Sequence, residues 1–172
     1  MPRVLVPVDG SPNSEFAVRH AATEYLKNSQ NNPLEVHLLN VQHPLSRHIA
    51  QFLGRNVRDS YHHDEATKAL QPATTLLEKF GVPYTAHTQV GEKASTIASE
   101  ARRLGCDRIV MSTARKSSLT RMIEDSTTNK VLEHTTVPVE VISGQSISKL
   151  ERYGIPAGLA AIFSLLVAAA VN

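Results

Sequence analysis

Short apolar runs rich in β-branched residues alternate with longer stretches of helical periodicity through residues 3–142. No feature constrains the fold more. The first run, residues 3–8 (RVLVPV), reads as a buried strand. It ends at Asp9-Gly10-Ser11-Pro12, a cluster of turn formers. Ser11 suits a helix N-cap, and Pro12 then falls at the first helical position, where its missing N–H costs nothing. Ala17, Val18, Ala21, Ala22, Tyr25 and Leu26 follow at helical spacing.

The pattern then repeats. Residues 34–41 (LEVHLLNV) form a second strand, closed by His43-Pro44, and an irregular stretch is expected to about Ser60. Ala66, Ala69, Leu70, Ala73, Leu76, Leu77 and Phe80 make a second helical stripe that stops at Gly81. Pro72 lies inside it and is expected to kink or split the helix. Residues 82–90 form the third strand. Ala94, Ile97, Ala98, Ala101 and Leu104 give the third helix, residues 107–111 the fourth strand, residues 112–125 a loop, residues 126–135 the fourth helix and residues 138–142 the fifth strand. No two strands are near enough in sequence for a tight hairpin. The expected fold class is therefore α/β: a five-stranded parallel sheet, joined by right-handed crossovers, with helices on both faces. Ligands of such sheets bind outside the carboxyl ends of the strands. Here that places a site at Asp9-Gly10, Val41-Gln42 and Ser112 onward.

Composition narrows the function classes. With 41% hydrophobic and 20% charged residues, the 172-residue chain is globular rather than disordered. A net charge of +2 without a Lys/Arg run gives no nucleic-acid footprint. The single cysteine, Cys106, has no internal disulfide partner and fits a buried, inert thiol. The N-terminus runs straight into a strand without a signal peptide, so a cytoplasmic location is expected.

Several of these segments together resemble one family, the universal stress proteins. The opening Val4-Leu5-Val6-Pro7-Val8-Asp9-Gly10-Ser11 resembles the family's first strand and turn, and Leu38-Leu39-Asn40-Val41 its second strand. Gly91-Glu92, Ile97-Ala98 and the run from Leu104 to Met111 look like its third helix and fourth strand. Lys130 to His134 with Val137 to Ile142 look like its last helix and strand. The resemblance covers about residues 2–143. It implies the strand order 3-2-1-4-5 and a homodimer paired through the fifth strand, Pro138 to Ile142. It also implies a choice between ATP-binding and non-binding classes. Binding members carry Gly-x-x-Gly, nine residues, then Gly-Ser/Thr, because glycine lets the backbone approach phosphates closely. In this chain Ser112, Arg115 and Asp125 occupy the three glycine positions, and Ser126 alone matches. A carboxylate about 4 Å from a phosphate charge costs on the order of 4 kcal/mol at an effective dielectric near 20. By the same resemblance, Pro7, Asp9, Val41 and Met111 fall where ATP-binding members contact base and ribose.

The expectation is a non-catalytic stress-response regulatory module that binds an unidentified protein partner and needs no cofactor. The alternative is a switch that binds ATP, or a smaller adenine nucleotide or nucleoside, with slow hydrolysis or none. A basic loop containing Arg115, Lys116 and Arg121 could hold an anion through side chains, although a solvated loop is the simpler reading. No metal is expected. His62 and His63 point about 100° apart on a helix, and no Cys/His spacing resembles a zinc site. The chain also lacks the Gly-x-Ser-x-Gly motif of serine hydrolases.

Beyond a polar linker, residues 144–154, the sequence from Ile155 to Val171 (IPAGLAAIFSLLVAAAV) carries no charge. As a helix it would be about 26 Å long, marginal against a hydrocarbon core of about 30 Å. Lys149, Arg152 and Tyr153 precede it, as at a membrane interface. Three readings are open: a short tail anchor on the inner face of the membrane, a helix packed between subunits, and a free tail, which an aggregation hazard disfavours.

Overall fold

In the computed structural model, residues 1–28, 33–113 and 127–143 are described. The order of elements is β1 (Arg3–Pro7), α1 (Pro12–Asn28), β2 (Glu35–Gln42), α2 (Arg47–Ala50), α3 (Arg55–Lys79), β3 (Tyr84–Val90), α4 (Lys93–Arg103), β4 (Arg108–Thr113), α5 (Thr127–His134) and β5 (Val139–Ser143). The strands form one sheet in the order β3-β2-β1-β4-β5, with every pair parallel. This is the expected α/β architecture and order.

Period-two alternation sorts the strand side chains into two cores. Val4, Val6, Val36, Leu38 and Val110 face α1 and α3, where they meet Ala17, Val18, Ala21, Leu70, Ala73 and Leu77. Leu5, Leu39, Val41, Ile109 and Met111 face α4 and α5, where they meet Ala94, Ile97, Ala101 and Val131. Because both faces of β1 are covered, its run reads as continuously apolar rather than alternating. Small residues on α1 and α4 let these helices lie close to the sheet. Cys106 joins the second core as a buried free thiol, and burial pushes its pKa up to about 11. At neutral pH almost none of it is thiolate, so it is chemically quiet.

Apart from shifts of one or two residues at the ends of elements, three features differ from expectation. The stretch from 44 to 60 is not irregular throughout: α2 forms at 47–50, and α3 already begins at Arg55. Pro72 does not split α3, which is continuous for 25 residues. Pro72 is exposed, so the carbonyl left unbonded one turn earlier can face water. Finally, β4 runs on through Ser112 and Thr113, which pair with Ile142 and Ser143 of β5 rather than opening a loop. The remainder of the expected loop, 114–126, lies outside the described residues, as do the linker at 144–154 and the apolar run at 155–171. No helix of the described residues is long and apolar enough to cross a membrane.

Candidate functional site

The site begins where β1 runs out. Beyond Pro7 the Val8 N–H still donates to the Leu39 carbonyl at 2.8 Å, so the ladder with β2 extends one more step. Asn40, only 2% exposed, donates from Nδ2 to the Val8 carbonyl at 2.7 Å. Its Oδ1 accepts from Gln42 Nε2 at 2.6 Å. A buried amide with both ends satisfied thus fixes the exits of β1 and β2 against each other.

The turn then presents Asp9. The Ser11 N–H donates to Asp9 Oδ1 at 3.0 Å, and Gly10 takes φ +78° to let the chain reverse. Ser11 caps α1 as expected, its hydroxyl accepting from the Ser14 N–H at 3.3 Å. Partial desolvation pushes the Asp9 carboxyl up. Hydrogen bonds from the Ser11 side chain and backbone and from Ser14, with the charge of Lys93, outweigh that push, so its pKa lies below the ordinary aspartate value. At neutral pH Asp9 is an ionised acceptor.

Gly10 also couples this turn to α3. A Cβ at Gly10 would lie 3.1 Å from the Ala69 Cα, which is helix backbone. Gly10→Ala should therefore cost about 1–2 kcal/mol through the left-handed backbone alone, and more through crowding. A urea melt should show the lowered midpoint.

Opposite the turn, α4 starts with Glu92 as N-cap, accepting from the Ala94 N–H at 3.1 Å and the Ser95 N–H at 2.8 Å. The Ser95 backbone and hydroxyl, with the Ala94 N–H, hold the Glu92 carboxyl down to about 2. This cap anchors the turn that carries Lys93. A lysine in a first helical turn opposes the helix dipole. Here it stands over the cleft facing Asp9.

Between these elements lies a cavity of about 290 Å³. Pro7, Asp9, Val41 and Met111, four of the five residues expected from sequence, all line it. The fifth, Ser126, lies outside the described residues, as do Arg115 and Asp125, while its neighbours Thr127 and Thr128 line the cavity. Leu39 and Ile97 add apolar wall. Ser11, Asn13 and Lys93 add polar groups that sequence reasoning missed. Lys93 carried one legible signal, a cation placed where a helix start favours anions. Ser112, at the first substituted glycine position, also lines the cavity, and its hydroxyl donates to the Asn13 carbonyl. A second cavity of about 620 Å³ adjoins it, sharing Asp9, Val41 and Lys93 and bounded by Gln42, Tyr61 and Lys68.

The remaining histidines and acids fall elsewhere. His20 Nε2 lies 2.9 Å from Glu140, and with Glu24 these three ligand-type groups come within 4.8 Å of one another. The cation among them is Arg108, hydrogen-bonded to Glu24 and 3.4 Å from Glu140, so the group reads as an ion-pair network. Sequence spacing could not show it, since the four residues come from α1, β4 and β5. In the sheet, His37 Nδ1 and His87 Nε2 lie 3.0 Å apart. Burial first, then the charges of His37 and Arg103, lower the His87 pKa.

Comparison with known proteins bears on the whole domain. Residues 1–143 match the model of the universal stress protein family. Universal stress protein MJ0531 of Methanocaldococcus jannaschii is 25% identical over 146 residues, 81% of each chain. Among solved structures, a universal stress protein in complex with cAMP superposes with a TM-score of 0.62 at 17% identity, covering 82% of this chain and 96% of that one. A universal stress family protein from Arabidopsis thaliana with AMP bound gives 0.60 at 18% identity, covering 85% and 94%.

Proposed function

The chain belongs to the universal stress protein family, and on that premise we propose that it is a non-catalytic stress-response module whose cleft takes a nucleoside or nucleoside monophosphate in preference to ATP. One observation carries the reading. The base-and-ribose side of the cleft is open, with Pro7, Asp9, Val41 and Met111 around about 290 Å³, whereas Ser112 fills a glycine position and is tied to Asn13. That volume lies at the small end of the range for ligand pockets. The relatives with cAMP and AMP bound favour the same ligand class.

The roles follow from the chemistry. Val41 and Met111, each 8% exposed, offer an apolar slot for a base. Ionised Asp9 accepts hydrogen bonds from ribose hydroxyls, and Lys93 can balance one phosphate charge. By the family's motif, a triphosphate needs glycine where this sequence has Ser112, Arg115 and Asp125. We assign no group to bond cleavage: occupancy itself is the signal, read by a protein partner. A homodimer belongs to the same proposal. β5 lies at the end of the strand order among the described residues, and its Val141 is 43% exposed.

The glycine positions provide the test. The triple variant Ser112→Gly, Arg115→Gly, Asp125→Gly should raise ATP affinity relative to AMP by about tenfold or more, equivalent to roughly 1.4 kcal/mol or more. An unchanged ratio in calorimetric titration would show that these side chains are not what turns the triphosphate away.

A further inference from the structure

The cavity of about 620 Å³ beside the cleft is larger than the cleft itself, and a single nucleoside leaves it unexplained. The two share Asp9, Val41 and Lys93, so they are continuous. The Asp9-Gly10 turn stands between them: Ser11 lines the cleft, and Gly10 lines the chamber beyond. The other wall of the chamber is α3. Tyr61, Glu65, Lys68 and Ala69 all line it, at the four-, seven- and eight-residue offsets that share one helix face. Gly10 packs against that face at Ala69, which ties the chamber wall to the turn that carries Asp9. Asn40 also lines the chamber, its amide fixed between Val8 and Gln42. The first turns of α3 hold no buried residue, and this wall gives them a use.

Charge narrows the ligand. The residues lining the two cavities carry Asp9 and Glu65 against Lys68 and Lys93, and so balance apart from His43. Lys68 and Glu65 are paired at 2.8 Å. Lys93, at the junction, takes part in no ion pair among the described residues. One cation at the junction of a balanced site suits a single negative charge. A phosphomonoester carries about −1.5 to −2 at neutral pH, and a phosphodiester carries only one charge. A diester also has a second arm, for which the chamber offers room. Tyr61, 47% exposed, presents an aromatic ring on which any base can stack. Glu65, Lys68 and Gln42 present acceptors and donors to ribose hydroxyls and base edges. An alkyl arm would leave those groups unmatched.

We propose that cleft and chamber form one site for a linear dinucleoside phosphodiester, with one nucleoside in the cleft, the phosphate at Lys93 and the second nucleoside against Tyr61, Glu65 and Lys68. This rests on the nucleoside reading of the cleft and extends it by one compartment. The second nucleoside adds stacking and hydrogen bonds without adding charge, which a site with one unpaired cation favours over further phosphates.

Calorimetric titration of the full-length protein with AMP, cyclic AMP and ApA (two adenosines joined by one phosphodiester) tests it. Cyclic AMP is the control that has the diester charge but no second nucleoside. ApA should bind at least about tenfold more tightly than either of the others. Tyr61→Ala should weaken ApA by about tenfold and leave AMP and cyclic AMP unchanged. Its thermal midpoint should hold, because Tyr61 is exposed. Lys93→Ala should weaken ApA and cyclic AMP alike. ApA binding no tighter than cyclic AMP, Tyr61→Ala weakening all three ligands equally or none, or Lys93→Ala leaving ApA unaffected would each overturn the proposal, while AMP binding would leave the cleft reading standing. Binding of none of the three would overturn both.

Discussion

Asp9→Ala should weaken adenosine and AMP binding by about tenfold to a hundredfold and leave the fold intact. Hydrogen bonds to a charged group are worth about 1.5–3 kcal/mol, and each 1.4 kcal/mol is a factor of ten. The carboxylate is exposed and is held by its own turn, where the Ser11 N–H donates to Oδ1. Asp9→Asn keeps an acceptor but loses the charge, so it should fall between the two. The pH dependence has a definite sign. Because the Asp9 pKa is depressed, the ionised form persists below the ordinary aspartate range. For adenosine, which carries no phosphate to titrate near pH 6, affinity should stay level as pH falls from neutral to about 5, and be lost only as the pH passes below the ordinary aspartate range. Calorimetry across pH reads both effects. A loss of affinity already near pH 6 would point to a histidine in place of Asp9.

Leu5→Ala should be the most destabilising of the substitutions considered. Leu5 has no solvent exposure and sits mid-sheet between His37 and Ile109, in the core under α4 and α5. Removing a buried leucine side chain costs about 2–5 kcal/mol, depending on how far the cavity collapses. Domains of this size typically have only about 5–15 kcal/mol to lose. Chemical denaturation should show a much lower midpoint with little change in slope. Leu5 does not line the cleft, so ligand affinity of the folded fraction at 25 °C should be unaffected. The two predictions separate site from scaffold: Asp9→Ala weakens binding without unfolding, and Leu5→Ala destabilises the fold without weakening binding by the folded fraction.

The sheet was legible in the sequence because it is buried on both faces. Val4-Leu5-Val6 and Leu38-Leu39 must satisfy two cores at once, so their apolar runs stand out. The helices that cover the sheet were legible for the related reason that one face of each is small and apolar. What escaped was structure without burial. Residues 55–65 form the first turns of α3 but none of them is fully buried, so no stripe marked them, and propensity alone does not announce a helix. Pro72 is a partial case: a local rule predicted a kink or a split, and the helix is not split, its exposed proline being absorbed within 25 continuous residues. Ser112 and Thr113 lack apolar character, and pairing with β5 made them strand.

The site divides in the same way. Asp9, Val41 and Ser112 were placed by the rule that ligands bind at the carboxyl ends of parallel strands, whereas Pro7, Met111 and the base-and-ribose role of the group came through a family resemblance. Lys93 and Asn13 were missed because each belongs to a helix start that reads as capping chemistry until the fold turns it toward the cleft. The Arg108 network with Glu24, Glu140 and His20 had no sequence signal, being assembled wholly by topology. Local chemistry announces turns and caps, whereas the convergence of distant side chains needs the sheet.

Competition among ligands is the most direct test of whether this cleft has kept the base-and-ribose side of its family's site while closing the phosphate side. Equilibrium dialysis of the purified protein with labelled adenosine, AMP and ATP measures it in one experiment. The account predicts that adenosine and AMP bind at micromolar levels, that ATP binds at least about tenfold more weakly, and that the ATP is recovered unhydrolysed. ATP binding as the tightest of the three, with ADP accumulating, would contradict it.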